Sequence, residues 1–140
     1  HTRLQGDWSS DVCSSDLPLV VETAGGLLVP LRRDWLQIDQ LARWQLPVLL
    51  VARSGLGTLN HTLLSVEALR QRQIPLLGIL LNGPPHPDNP RTLADLSGAT
   101  VLAQLPPLQP LTAEALAQQW QEQDLGHTLA SALAAASPTP

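Results

Sequence analysis

The feature that most constrains this chain is a regular alternation between short apolar runs and longer amphipathic stretches. Val48 to Val51, Leu76 to Leu81 and Val101 to Leu105 are continuous apolar runs, and Leu19-Val20-Val21 reads as the end of an earlier one. Each is followed by a turn bearing glycine or proline. Short runs without polar alternation suit strands buried on both faces, and strands separated by helical stretches suit βαβ units around a largely parallel sheet. The expected fold class is therefore α/β, a parallel sheet flanked by helices.

Between the runs, Trp35 to Trp44 and Thr58 to Arg72 carry apolar residues at helical spacing. In the second, Leu59, Leu63, Leu64, Val66 and Leu69 form a stripe wide enough to cover a sheet, and Thr58 is placed to act as its N-cap. Pro90 to Leu96 reads as a short helix ended by Gly98, and Thr112 to Gln121 as a helix opened by Thr112. The alanine-rich Leu125 to Ala136 is helical by propensity. Residues 137–140 read as a frayed tail, and Gly83 to Pro90 as a loop inside the domain.

A length of 140 residues allows one domain with a real core. No apolar run approaches the ~20 residues of a membrane span, so no membrane association is expected. A net charge of −4 offers no basic footprint for phosphate backbones, which argues against nucleic acid as a partner. All eight basic residues are arginine; there is no lysine. Cys13 is the only cysteine, so no disulfide framework or cysteine-rich zinc site is possible within the chain. With no secretory pattern near the start, the expected location is the cytoplasm.

Residues 1–17 stand apart. Gly6 to Leu17, with its repeated Ser-Ser-Asp, has neither helical nor strand periodicity and resembles the in-frame translation of a short-read sequencing-library adapter. We expect 1–17 to be non-native and residues 18–136 to form the domain.

In parallel sheets ligands bind beyond the carboxyl ends of the strands, so the residues following each apolar run carry the functional information. Glu22, with Thr23, Ala24, Gly25 and Gly26 behind it, could hold Mg2+ while bare backbone approaches phosphate oxygens; the pattern alone favours the alternative, that it caps the next element or pairs with Arg32 or Arg33. Ser54 to Asn60 offers backbone N–H groups at a helix start, suited to a carboxylate or phosphate, or to capping and close strand–helix packing. Asn82 could read an adenine edge through its paired donor and acceptor, while Asn82-Gly83 is also an ordinary turn dipeptide. His61 lacks a companion at metal-ligand spacing and reads as packed or partly exposed.

Taken in order, Val20-Val21-Glu22-Thr23-Ala24-Gly25-Gly26-Leu27-Leu28-Val29-Pro30-Leu31 and Pro47 to Thr62, followed by Asn82-Gly83-Pro84-Pro85 and Gln104 to Leu108, resemble the dethiobiotin synthetase family over residues 18 to about 112. That family is P-loop NTPase-like. The resemblance implies an ATP- and Mg2+-dependent ligase of biotin synthesis, a cytoplasmic homodimer that converts 7,8-diaminononanoate and CO2 to dethiobiotin. It implies that Glu22 ligates Mg2+, and that Glu22, Thr23, Ala24 and Gly25 face the nucleotide phosphates. It further implies that Asn82, Gly83, Pro106, Pro107 and Leu108 contact the adenine end of ATP, and that Leu56, Gly57 and Asn60 receive the substrate carboxylate across a dimer interface.

Two departures stand out. Thr23 occupies a position where the family commonly has glycine. The N-terminal P-loop and its lysines have no counterpart, since a chain without lysine cannot contain that motif. The resemblance thus implies a C-terminal part of the enzyme, inactive alone and with an exposed sheet edge that favours aggregation. A cobyrinic acid diamide synthase-like amidoligase shares the architecture but should continue into an amidotransferase domain with a nucleophilic cysteine. A non-catalytic dethiobiotin-synthetase-like binding module has no need of the Gly57 to Asn60 segment.

Overall fold

The computed structural model describes residues 19–136; the segment 1–17 and the tail 137–140 discussed above lie outside the described residues. In chain order the elements are β1 (Pro30–Arg32), β2 (Trp35–Leu36), α1 (Gln37–Trp44), β3 (Val48–Arg53), α2 (Thr58–Gln71), β4 (Leu76–Asn82), α3 (Asn89–Ser97), β5 (Val101–Leu105), α4 (Ala113–Glu122) and α5 (Leu125–Ala136). Strands β3, β4 and β5 form a parallel sheet in that order, the arrangement the alternation predicts.

Strand β4 lies in the middle and explains why its run is apolar throughout. Ile79 and Leu81 point to one face, where they are fully buried with Val66 of α2 and Leu93 of α3. Leu80, one residue out of phase, points to the other face and packs with Ala103 of β5 and Leu125 of α5. Helices thus cover both faces of the sheet. A third cluster closes one end: Ile38 of α1 and Leu69 of α2 are buried with Ile74, just ahead of β4.

The boundaries follow local chemistry. Gly98, at φ +63°, ends α3 with its N–H on the Ala94 carbonyl (2.8 Å). The Thr112 hydroxyl accepts the Ala115 N–H (3.1 Å), so it caps α4 as expected.

Three expectations are corrected. Leu19-Val20-Val21 is not a strand: Leu19 and Val20 are 79% and 87% exposed, and no described segment pairs with them. An apolar run becomes a strand only where a ladder partner takes its backbone groups. Trp35 and Leu36 do not begin the first helix but form the second arm of an antiparallel hairpin with β1, and α1 starts only at Gln37. The Asp39 carboxylate accepts the Leu36 N–H (2.9 Å) and sets that start. Thr58 is not the N-cap of α2; Gly57 is, at φ +89°, and the Thr58 hydroxyl instead meets that of Thr62 (3.2 Å) inside the fold.

Gly78 sits where β4 passes close to the start of β5, beside a register shift. A Cβ there would lie 2.7 Å from the Leu102 side chain and 2.8 Å from the Thr100 carbonyl oxygen. Since the carbonyl is backbone and cannot swing away, Gly78→Ala should cost roughly 1–3 kcal/mol, as overpacking does. Leu69→Ala, which empties the end cluster, should cost about 2–5 kcal/mol. Shifts in urea midpoint check both; unchanged midpoints would refute the packing described.

Candidate functional site at the carboxyl edge of the sheet

The register sets Arg53 opposite Asn82 and Asn82 opposite Leu105, so the three strands end level. The residues that follow therefore gather along one edge. The Gly83 N–H donates to the Leu105 carbonyl (2.9 Å), and the Asn89 amide donates to the Ser54 carbonyl (3.1 Å). Ser54, Asn82-Gly83 and Pro106 to Leu108, three of the four segments singled out in the sequence, are thereby brought together.

At the first strand exit the chain turns sharply into α2. Thr58 donates its N–H to the Gly55 carbonyl (3.1 Å) and His61 donates to Gly57 (3.1 Å). Asn60 is exposed, and none of the described residues covers the Leu56 side chain. A shallow cavity of about 210 Å³ lies between α2 and the outer strand β3, lined by Arg53, Leu56, Thr58 and His61 among others. Val51, on that outer strand, is 57% exposed.

Ser54 is nearly completely buried, yet its Oγ has no hydrogen-bond partner among the described residues. The reason for its burial is Gly83, whose missing side chain leaves the room: a Cβ at 83 would fall 2.5 Å from that oxygen. Glycine at 83 is needed for this close approach and for a φ of +138°.

Glu22 to Gly25 are not joined to this cluster. They form an exposed loop, and no hydrogen bond or ion pair among the described residues links them to the strand exits. The pairing of Glu22 with Arg32 or Arg33 does not occur; Arg32 instead pairs with Asp34 (3.0 Å). The loop is anchored just downstream, where the start of α1 takes it up: Ile38 and Gln37 donate backbone N–H groups to Leu27 and Val29 (2.9 and 2.8 Å), and the buried Gln37 side chain donates to the Gly26 carbonyl (3.1 Å). Gly25 turns the chain at φ +78°.

The sequence reading missed Gln37, Asn89 and Gln123. Each acts through a side-chain contact to backbone 11, 35 or 19 residues away, and no local pattern signals such a contact.

The model of a family described as an AAA domain matches residues 8–115, most of the chain. The chain belongs to that family. Membership accords with a P-loop NTPase-like sheet flanked by helices, of which the described residues form a part. Among curated proteins, this AAA-domain chain is 52% identical over 103 residues to the ATP-dependent dethiobiotin synthetase BioD of Afipia carboxidovorans, covering 74% of this chain and 49% of that protein. It is 53% identical over 111 residues to the BioD of Brucella anthropi, covering 79% and 52%. It is also 52% identical over 106 residues to the biotin biosynthesis bifunctional protein BioCD of Bordetella avium, covering 76% of this chain and 23% of that protein. The chain thus spans about half the length of its BioD relatives.

The Ser54–Gly83 contact makes a double-mutant test. Gly83→Ala should destabilise by roughly 1–3 kcal/mol, Ser54→Ala should be near neutral because the hydroxyl it removes is unsatisfied, and the double variant should recover part of the loss. Chemical denaturation measures all three; strict additivity would show that the two residues do not touch.

Proposed function

We propose that the chain is the C-terminal part of an ATP-dependent dethiobiotin synthetase, converting 7,8-diaminononanoate, CO2 and ATP to dethiobiotin in biotin biosynthesis. The observation that carries this reading is the identity of about half the residues to dethiobiotin synthetases over some three quarters of the chain. The gathering of the strand exits at one edge supports it from the structural side.

In the reaction, one amine nitrogen of the substrate attacks the carbon of CO2 and loses a proton, giving a carbamate. A carbamate oxygen then attacks the γ-phosphorus of ATP, and ADP leaves. The second amine attacks the carbonyl carbon of the resulting anhydride, phosphate departs, and the ureido ring closes. Little of this calls for covalent chemistry by the protein, so its residues bind, orient and neutralise charge.

In this reading the adenine sits at Asn82-Gly83 and Pro106-Pro107-Leu108. The exposed Asn82 amide offers a donor and an acceptor side by side, and the prolines form a rigid apolar flank. The substrate carboxylate is received at Leu56, Gly57 and Asn60, where the start of a helix of 14 residues presents N–H groups and positive potential. The fully exposed Leu56 is then covered by a second copy of the protein, as a homodimer requires.

Glu22 fits a role as the protein ligand of Mg2+. It is exposed, unpaired among the described residues, and followed by Thr23, Ala24 and Gly25, where small side chains let backbone approach the nucleotide phosphates. Mg2+ is commonly held by one or two carboxylates together with substrate phosphates, so a lone carboxylate suffices. Bound there, the ion would neutralise phosphate charge. The P-loop lysine of such an enzyme must come from elsewhere in the protein, because this chain has no lysine. No described helix is long and apolar enough to cross a membrane, and we place the enzyme in the cytoplasm.

The test is turnover of 7,8-diaminononanoate to dethiobiotin by the full-length protein, with and without ATP and Mg2+. Glu22→Ala should lower turnover by about 100-fold or more, at least the roughly 10–100-fold that loss of a mere outer-shell partner of a metal costs, while the 140-residue chain alone should be inactive. Unchanged turnover in Glu22→Ala overturns the metal assignment, and a full-length protein without turnover overturns the reaction.

A further inference from the structure

Strand β5 is an outer strand of the described sheet, and its last residues lead directly into Pro106-Pro107-Leu108. On its inner side Leu105 is held by the Gly83 N–H. Its outer side faces no described strand, yet Gln104 is not left unpaired there. The Gln123 side-chain amide donates to the Gln104 carbonyl (2.7 Å), and the Gln104 N–H donates to the Gln123 side-chain oxygen (3.1 Å). One side chain thus mimics the backbone of a neighbouring strand for a single residue. The Gln123 amide also donates to the Gln119 side-chain oxygen (3.1 Å), which fixes its orientation.

Gln123 is the residue that ends α4, and α4 buries none of its own residues. The helix leans on α5, with the Trp120 ring close over Gly126. Its direct hydrogen-bonded tie to the sheet is the Gln123 clip. That clip joins the start of the Pro106 to Thr112 loop to the far end of the helix that follows it. With Gln104 gripped from outside and Leu105 from inside, the direction in which the chain leaves β5 is set before the first proline.

We propose that Gln123 is a positioning residue for nucleotide binding: it holds the exit of β5 so that Pro106, Pro107 and Leu108 present a preformed surface to the adenine base. This rests on the reading that these three residues contact adenine. Without the clip the loop must be ordered at the moment ATP binds, so the cost appears in ATP affinity rather than in chemistry.

The experiment is steady-state kinetics of the full-length enzyme carrying Gln123→Met, which keeps length and bulk but makes no amide bonds, alongside Gln123→Ala. The expected result is a KM for ATP raised about tenfold, the scale of losing two ordinary hydrogen bonds, with kcat and the KM for the diamine unchanged. A wild-type KM for ATP in Gln123→Met overturns the proposal. So does a joint change of kcat, both KM values and melting temperature, which would mark a merely structural residue. Leu108→Asp separates the proposal from the reading beneath it. If Leu108→Asp raises the KM for ATP and Gln123→Met does not, only the positioning role fails. If neither variant moves it, the loop is not the adenine site and both fail.

Discussion

The two-faced burial of β4 is the interaction on which everything else depends. Ile79 and Leu81 bind the strand to α2 and α3, while Leu80 between them binds it to α5. A strand so held cannot slip by one residue without turning each of these side chains to the wrong face. Its register in turn sets where β3 and β5 stop, and so where Ser54, Asn82 and Pro106 lie. The core and the candidate site are linked by strand pairing.

Around that edge, glycine and polar side chains do what the apolar core cannot. Gly83 brings β4 within contact of Ser54, Asn89 ties the start of α3 to Ser54 just beyond β3, and Gln123 closes the outer side of β5. The loop at Glu22 is organised differently, from the start of α1 through Gln37. The proposed enzyme thus draws its phosphate-facing and base-facing residues from two separately anchored parts of the chain.

Much of the architecture could be read from the sequence because it depends on local pattern. The three sheet strands, the helix at 125–136 and the caps at Gly98 and Thr112 follow from apolar runs and from single residues whose chemistry stops or starts a helix. The short hairpin at Pro30 to Leu36 could not be read so. Trp35 and Leu36 fit a helical stripe as well as a strand, and what decides between them is an Asp39 side chain reaching back to the Leu36 N–H. Leu19 to Val21 has the composition of a strand, but a partner is a property of the assembled fold. Of the site, the clustering of strand exits was visible because parallel sheets place their loops on one edge. The long-range amide contacts of Asn89 and Gln123 have no local pattern to betray them.

In the parallel sheet every strand neighbours the next one along the chain, β3 to β4 to β5, each joined through a single helix. Such a sheet can grow in the direction of synthesis, each new strand finding its template already laid down by the one before. On that path the Gln123 contact forms only after β5 and the whole of α4 have emerged from the ribosome. The Pro106 to Thr112 loop therefore takes its shape late, once α2 and α3 can cover one face of β4 and just before Leu125 of α5 arrives to cover the other.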